Sequence, residues 1–220
     1  RTRTNVTLGA GVTSVPTVPD NQSNYAQPWS YSNERDTFGT FRGEWDITQD
    51  VTAWAAAGAR RSEEANSLAN ITVNNGSTGA ATTYRFDNTR EDSVNTGELG
   101  VRGKLLTGSV GHEWVATASV YDFEKKNAYA MDSRNTLATN LYGPVSTNLP
   151  AFSGTTLYGG DLANPLRTGT TRLTSFAVGD TLALLDKRLL LTAGVRHQKI
   201  DIGNYAYGTA ALTSRYEQSR

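Results

Sequence analysis

The residues best suited to hold a ligand are aromatic and basic, and most lie at the ends of alternating segments or between them. Tyr25, Tyr31, Tyr84, Tyr129, Tyr142, Tyr158, Tyr205 and Tyr207 cluster in polar sequence. A tyrosine offers a ring that packs a ligand and a hydroxyl that hydrogen-bonds it. From these, and from Tyr121 on a strand's polar face, the aromatic candidates are Tyr84, Tyr121, Tyr129, Tyr142 and Tyr158. Their plainer reading is loop packing and interfacial anchoring. Arg60 and Arg196 project to a polar face toward the long-loop end of their strands and can bind an anion through charge-assisted hydrogen bonds. Their plainer reading is a salt-bridge network with partners such as Glu98.

Other chemistries are poorly supplied. Cysteine is absent, which excludes disulfides, thiol catalysis and thiolate metal sites. His112 and His197 are the two histidines, and neither has a partner at metal-ligand spacing. Glu63, Glu64, Asp87, Glu91 and Asp92 lack the apolar pocket that would raise a carboxyl pKa for acid–base work. Gly9-Ala10-Gly11 precedes no helix and is no phosphate loop. The sequence therefore predicts no enzyme, no cofactor and no protein-bound metal.

The elements that must position these residues are alternating strands. Around 37–61, 97–123 and 173–200 the chain reads strand, tight turn, strand. In the first unit Phe41, Trp45 and Ile47 share a face, opposed by Thr40, Arg42, Glu44 and Asp46. Leu99, Val101 and Leu105 oppose Glu98, Arg102 and Lys104 in the second; Leu189, Leu191, Ala193 and Val195 oppose Thr192, Arg196 and Gln198 in the third. A further strand is expected over 3–12. Residues 62–93, with 82–87 as a strand extension, and residues 125–166 read as long loops, marked by Asn74-Asn75-Gly76-Ser77 and by Pro144, Pro150 and Pro165.

Apolar residues make up 37% of the 220 and mean hydropathy is −0.47. No run approaches the ~18 apolar residues of a membrane helix. Strands of about 9–12 residues joined by short turns at one end and long loops at the other instead match a transmembrane barrel. Loops that long are uncommon in a compact soluble domain. The 21 basic and 21 acidic residues cancel, leaving no nucleic-acid footprint. The expected fold is all-β: an antiparallel up-and-down meander of about seven strands, residues 1–220 forming part of a large barrel.

The hairpin from Phe41-Arg42-Gly43-Glu44-Trp45-Asp46-Ile47 to Thr52-Ala53-Trp54-Ala55-Ala56-Ala57-Gly58 resembles those of TonB-dependent siderophore receptors of the bacterial outer membrane. So do 174–182 with its continuation to Gly194-Val195-Arg196, and the loop Asn140-Leu141-Tyr142-Gly143-Pro144-Val145. The resemblance implies a barrel of about 22 strands around an N-terminal plug. It also implies a ferric siderophore bound at the mouth with its iron kept inside the chelate, and an inner-membrane TonB complex acting through the plug. Plug, energy-coupling box and closing strand are not found, so the chain is expected to be an internal piece of such a receptor in the lipid bilayer. The competing readings are a secreted or surface β-sandwich that binds glycan or host protein, and a segment of a general porin.

Overall fold

The computed structural model describes residues 6–20, 22 and 26–220. Ten strands form one sheet: β1 (Val6–Leu8), β2 (Tyr31–Thr48), β3 (Val51–Val73), β4 (Ala80–Thr107), β5 (Val110–Met131), β6 (Leu137–Asn140), β7 (Leu157–Gly159), β8 (Leu166–Leu184), β9 (Leu189–Tyr205) and β10 (Leu212–Ser219). Seven of them, β2 to β5 and β8 to β10, pair in sequence order as an antiparallel meander. The short strands extend the tips of longer ones. β1 runs parallel to β3 above the end of β2, β6 takes the edge of β4 above β5, and β7 takes the edge of β5 above β8. The described residues form no second sheet packed on the first, so the sandwich reading has no counterpart.

The long-loop expectations require correction. Residues 62–73 and 80–96 are continuous strand, joined by a turn over 74–79, and β3 and β4 pair residue for residue from Val51↔Gly103 to Val73↔Ala81. Residues 125–131 likewise continue β5, so the long connection begins after Met131. The strand expected over 3–12 shrinks to Val6–Leu8, with residues 1–5 outside the described set. Above the amphipathic band both faces are polar, so the sequence loses its alternation while the backbone ladder continues.

Register sorts side chains to two faces, because successive residues of a strand point oppositely. One face carries Phe41, Trp45, Leu99, Phe176 and Val195, all more than half exposed at 69%, 71%, 62%, 54% and 68%. A contiguous apolar surface of this extent is untenable in water and is what a bilayer requires. The buried apolar cluster is small: Ile71, Val73, Ala81 and Leu141, at the β3–β4 tip. No helix among the described residues is long and apolar enough to cross a membrane.

The opposite face is polar and self-paired. Arg42 and Arg102 both bind Glu44 at 2.8 Å, Lys104 meets Glu113 at 3.2 Å, and the hydroxyls of Ser119 and Ser175 lie 2.9 Å apart. Trp54 lies across its cross-strand partner Gly100 and donates Nε1–H to Glu98 at 2.6 Å. Such a face suits a water-filled or protein-filled lumen.

Three tight turns close the band at one end: 48–51, 107–110 and 184–189. Gly108 takes φ 63° in the second. The third holds Leu185, Asp186 and Lys187 at φ 51°, 54° and 67°, the left-handed region that costs a branched side chain about 1 kcal/mol. Leu185 is 71% exposed, so replacing it forfeits little packing. Leu185→Gly is expected to raise the temperature at which the folded barrel converts to its unfolded electrophoretic form. A lowered temperature would mean the leucine contributes a contact that outweighs its backbone cost.

Candidate functional site: the polar face and its mouth

The end opposite the tight turns carries the candidate site. Of the residues singled out from sequence, Arg60, Tyr84, Tyr121, Tyr129 and Arg196 fall on the polar face, as the register through β3, β4, β5, β8 and β9 requires. Tyr129 is the best anchored. It stacks on Phe86 with centroids 6.3 Å apart, meets Tyr207 edge-on at 5.1 Å, and lies over its cross-strand partner Gly159. Any side chain at Gly159 would collide with the Tyr129 ring, since a Cβ there falls 2.1 Å from Cε1. Asn127 donates to the Tyr207 hydroxyl at 3.1 Å, tying the β9–β10 turn to β5. Tyr84 accepts from Asn70 at 3.3 Å.

The remaining candidates are placed differently. Tyr142 packs over Gly79, whose φ is 72°, and donates its hydroxyl to the Gly76 carbonyl at 3.2 Å. It fastens the β3–β4 tip. Tyr158 pairs with Ala130, lies on the other face, and meets Phe152 edge-on at 5.9 Å. Phe152 in turn lies 3.9 Å from the Arg85 guanidinium. Arg60 binds Asp36 at 2.8 Å. Arg196 lies level with Ala177, Thr117, Gly100 and Trp54, midway up the wall rather than near its mouth. Glu98, the partner suggested for the arginines, is taken by Trp54 and lies 3.7 Å from Arg42.

Sequence reasoning passed over several members of this face. Phe86 and Tyr207 complete the aromatic group around Tyr129. Arg90 binds Asp92 at 2.5 Å, and Lys125 stands beside them on β5. Alternation alone would have found Lys125, because Tyr121, Phe123, Lys125, Asn127 and Tyr129 recur every second residue. Its neighbour Lys126 faces the other way and pairs with Glu91 at 3.2 Å.

The chain after Met131 is clasped at Asp132, which is 2% exposed. Its carboxylate accepts from the Ser153 hydroxyl at 2.7 Å, the Ser153 N–H at 3.0 Å and the Asn135 amide at 3.2 Å. Burial pushes this carboxyl up, but the Ser153 and Asn135 hydrogen bonds together hold it below the usual carboxylate range. A depressed carboxyl stabilises the fold at pH above its unfolded pKa, and that contribution is lost as pH falls through the folded value. The clasp should therefore hold through mildly acidic pH and release only in stronger acid. Asp132→Asn should make residues 133–156 more sensitive to protease at neutral pH; unchanged cleavage would contradict the clasp. Among the described residues no group of three His, Cys, Asp or Glu is placed to hold a metal. His112 and Asp180 pair at 2.7 Å, and His197 lies 2.9 Å from Ser219.

A single antiparallel meander with an apolar outer band, a polar inner face and tight turns at one end defines a segment of a transmembrane β-barrel wall. No family model matches the chain. It is 31% identical over 206 residues, 94% of its length, to the ferrichrome receptor FcuA of Yersinia enterocolitica. In fold it resembles BauA, the ferric preacinetobactin receptor of Acinetobacter baumannii, with a TM-score of 0.78 and 24% identity over 98% of this chain and 31% of that one. The siderophore receptor PiuA of the same organism follows at 0.64 and 17% over 89% and 30%, and the E. coli ferric-catecholate import receptor Fiu at 0.59 and 18% over 92% and 34%. The chain spans about a quarter of the length of the curated relative, 26%. Its sequence is thus similar to part of one siderophore receptor, and its fold to part of the barrels of others.

Proposed function

We propose that the protein carries a ferric siderophore across the bacterial outer membrane, as part of a TonB-dependent receptor. This chain supplies a section of the barrel wall. The observation that carries the reading is the division of the sheet into an apolar face and a self-paired polar face with an aromatic and basic group at one end. The 31% identity to a ferrichrome receptor supports it.

In this reading Phe86, Tyr129 and Tyr207 offer ring surface, and nearby side chains offer hydrogen bonds and charge. Iron stays within its chelate, so the wall needs no metal ligands and no cofactor, and no covalent chemistry is involved. Passage inward is driven by the inner-membrane partner acting on a plug that fills the lumen.

Uptake of radiolabelled ferric chelates by iron-starved cells tests this. Uptake should require the gene and cease when the proton gradient is collapsed. Gene-dependent uptake that continues without the gradient, accompanied by ion conductance in planar bilayers, would replace this reading with a general porin.

A further inference from the structure

From β5 to β9 the polar face holds few charges. Register places three ionisable acidic or basic side chains there: Glu113, Lys125 and Arg196. Glu113 is paired with Lys104 near the tight turns. Lys125 and Arg196 make no ion pair among the described residues, and apart from Glu113, already paired, no carboxylate of β5, β8 or β9 shares the face. On β2, β3 and β4 the basic residues Arg42, Arg60, Arg90 and Arg102 all have acidic partners. The unpaired charge on the β5–β9 part of this face is therefore positive.

Of the two cations, Lys125 is the one at the mouth. Arg196 is level with Thr117, eight residues lower on β5, or about 26 Å at the rise of an extended strand. Lys125 sits between Phe123 and Asn127 on the polar face, half-buried. Its cross-strand neighbour Asp92 is not available to it, because Arg90 holds both carboxylate oxygens, at 3.0 and 2.5 Å. Its other neighbour is Gly169, where a methyl group would come 3.4 Å from Lys125 Cε and 3.9 Å from Nζ. The lysine stem thus lies along a strip of bare backbone, with its ammonium free and phenyl and phenol rings above and below.

We infer that Lys125 is a ligand contact that selects for net negative charge: the mouth recognises an anionic ferric chelate in preference to a neutral one. An ammonium without a carboxylate partner attracts an anion without first breaking an ion pair, and Phe123 and Tyr121 supply flat apolar surface for the chelate's rings. The inference rests on the ferric-chelate reading above and adds the charge of the ligand and the residue that reads it.

The test uses the full-length receptor purified in detergent, with quenching of tryptophan fluorescence as the binding signal. The probes are an anionic ferric tris-catecholate and the neutral ferric hydroxamate ferrichrome. Wild type should bind the catecholate more tightly. Lys125→Gln should weaken it about tenfold, the loss of one charge-assisted hydrogen bond, while Lys125→Arg retains most of the affinity and ferrichrome binding is unaffected. Added salt should weaken catecholate binding to wild type more than to Lys125→Gln. Equal catecholate affinity of wild type and Lys125→Gln, or preference of wild type for ferrichrome, overturns the inference and leaves the transport reading standing. Binding of neither chelate, by a receptor that runs as a folded barrel, removes both.

Discussion

Leu99→Arg should nearly abolish the folded, heat-modifiable form of the protein in membranes, while Ser119→Arg, close by on the adjacent strand, should leave it almost unchanged. Leu99 is 62% exposed on the apolar face, in register with Ala55, Ala118 and Phe176. An arginine at that depth costs about 2–4 kcal/mol in a barrel wall, because its charge must be drawn to the interface or hydrated by a defect in the bilayer. Ser119 is the direct cross-strand partner of Glu98 and faces the polar side. An arginine there gains a carboxylate neighbour and reaches water or lumen protein. Equal tolerance of both substitutions would mean that the two faces do not meet different solvents.

Gly100→Val should destabilise the wall almost as severely, by a packing mechanism. A Cβ at Gly100 would fall 2.1, 2.4 and 2.5 Å from three atoms of the Trp54 indole. Trp54 has nowhere to retreat without loss: it is 9% exposed, bonds Glu98, and has the guanidinium carbons of Arg42 and Arg102 at 5.5 and 5.7 Å from its ring centroid. Expelling the ring forfeits those cation–π contacts and the hydrogen bond, and overpacking of this kind costs about 1–3 kcal/mol. The double variant Gly100→Val, Trp54→Ala should recover part of the loss, because removing the ring removes the clash. Denaturant midpoints of the folded barrel in detergent read both effects. Additive losses would show that Gly100 is required for something other than the indole.

The paired aromatic and glycine recurs, and it explains why glycine in these strands marks structure rather than weakness. Trp114 lies over its partner Gly103 on the apolar face, as Trp54 lies over Gly100 and Tyr129 over Gly159. Each ring covers backbone that a bare glycine would leave exposed. The sequence shows the glycines and the rings but not the pairing, because register is a property of two strands together.

The same reasoning accounts for what was legible. The hairpins at 37–61, 97–123 and 173–200 could be read because a bilayer on one side and a polar lumen on the other impose a period of two. Above the bilayer that contrast ends. Ser62 to Asn70 and Asn88 to Asp92 are polar on both faces, so ordered strand reads as loop there, whereas 82–87 reads as the strand extension that it is. The candidate residues follow the same division: alternation puts Tyr121 and Arg196 on the polar face, where they lie, but not at their height, and Arg196 stands midway up the wall instead of at its long-loop end. Tyr158 could not be assigned to a face at all, because only its pairing with Ala130 places it. Lys125 and Lys126 open a stretch that reads as polar loop, although the two lie on opposite faces of β5.

The chain has no cysteine, which allows a direct measurement of the two-faced wall. Single cysteines placed in turn at positions 96–106 of β4 can be spin-labelled in membrane-embedded protein and their collisions with oxygen and with a water-soluble nickel chelate compared. Labels at 97, 99, 101 and 105 should favour oxygen, which partitions into lipid; labels at 96, 98, 102 and 104 should favour the chelate or be shielded from both, giving an oscillation of period two. A flat profile, or an oscillation of opposite phase with the labels at 98, 102 and 104 in lipid, would contradict the assignment of the apolar face to the bilayer and with it the reading of this chain as barrel wall.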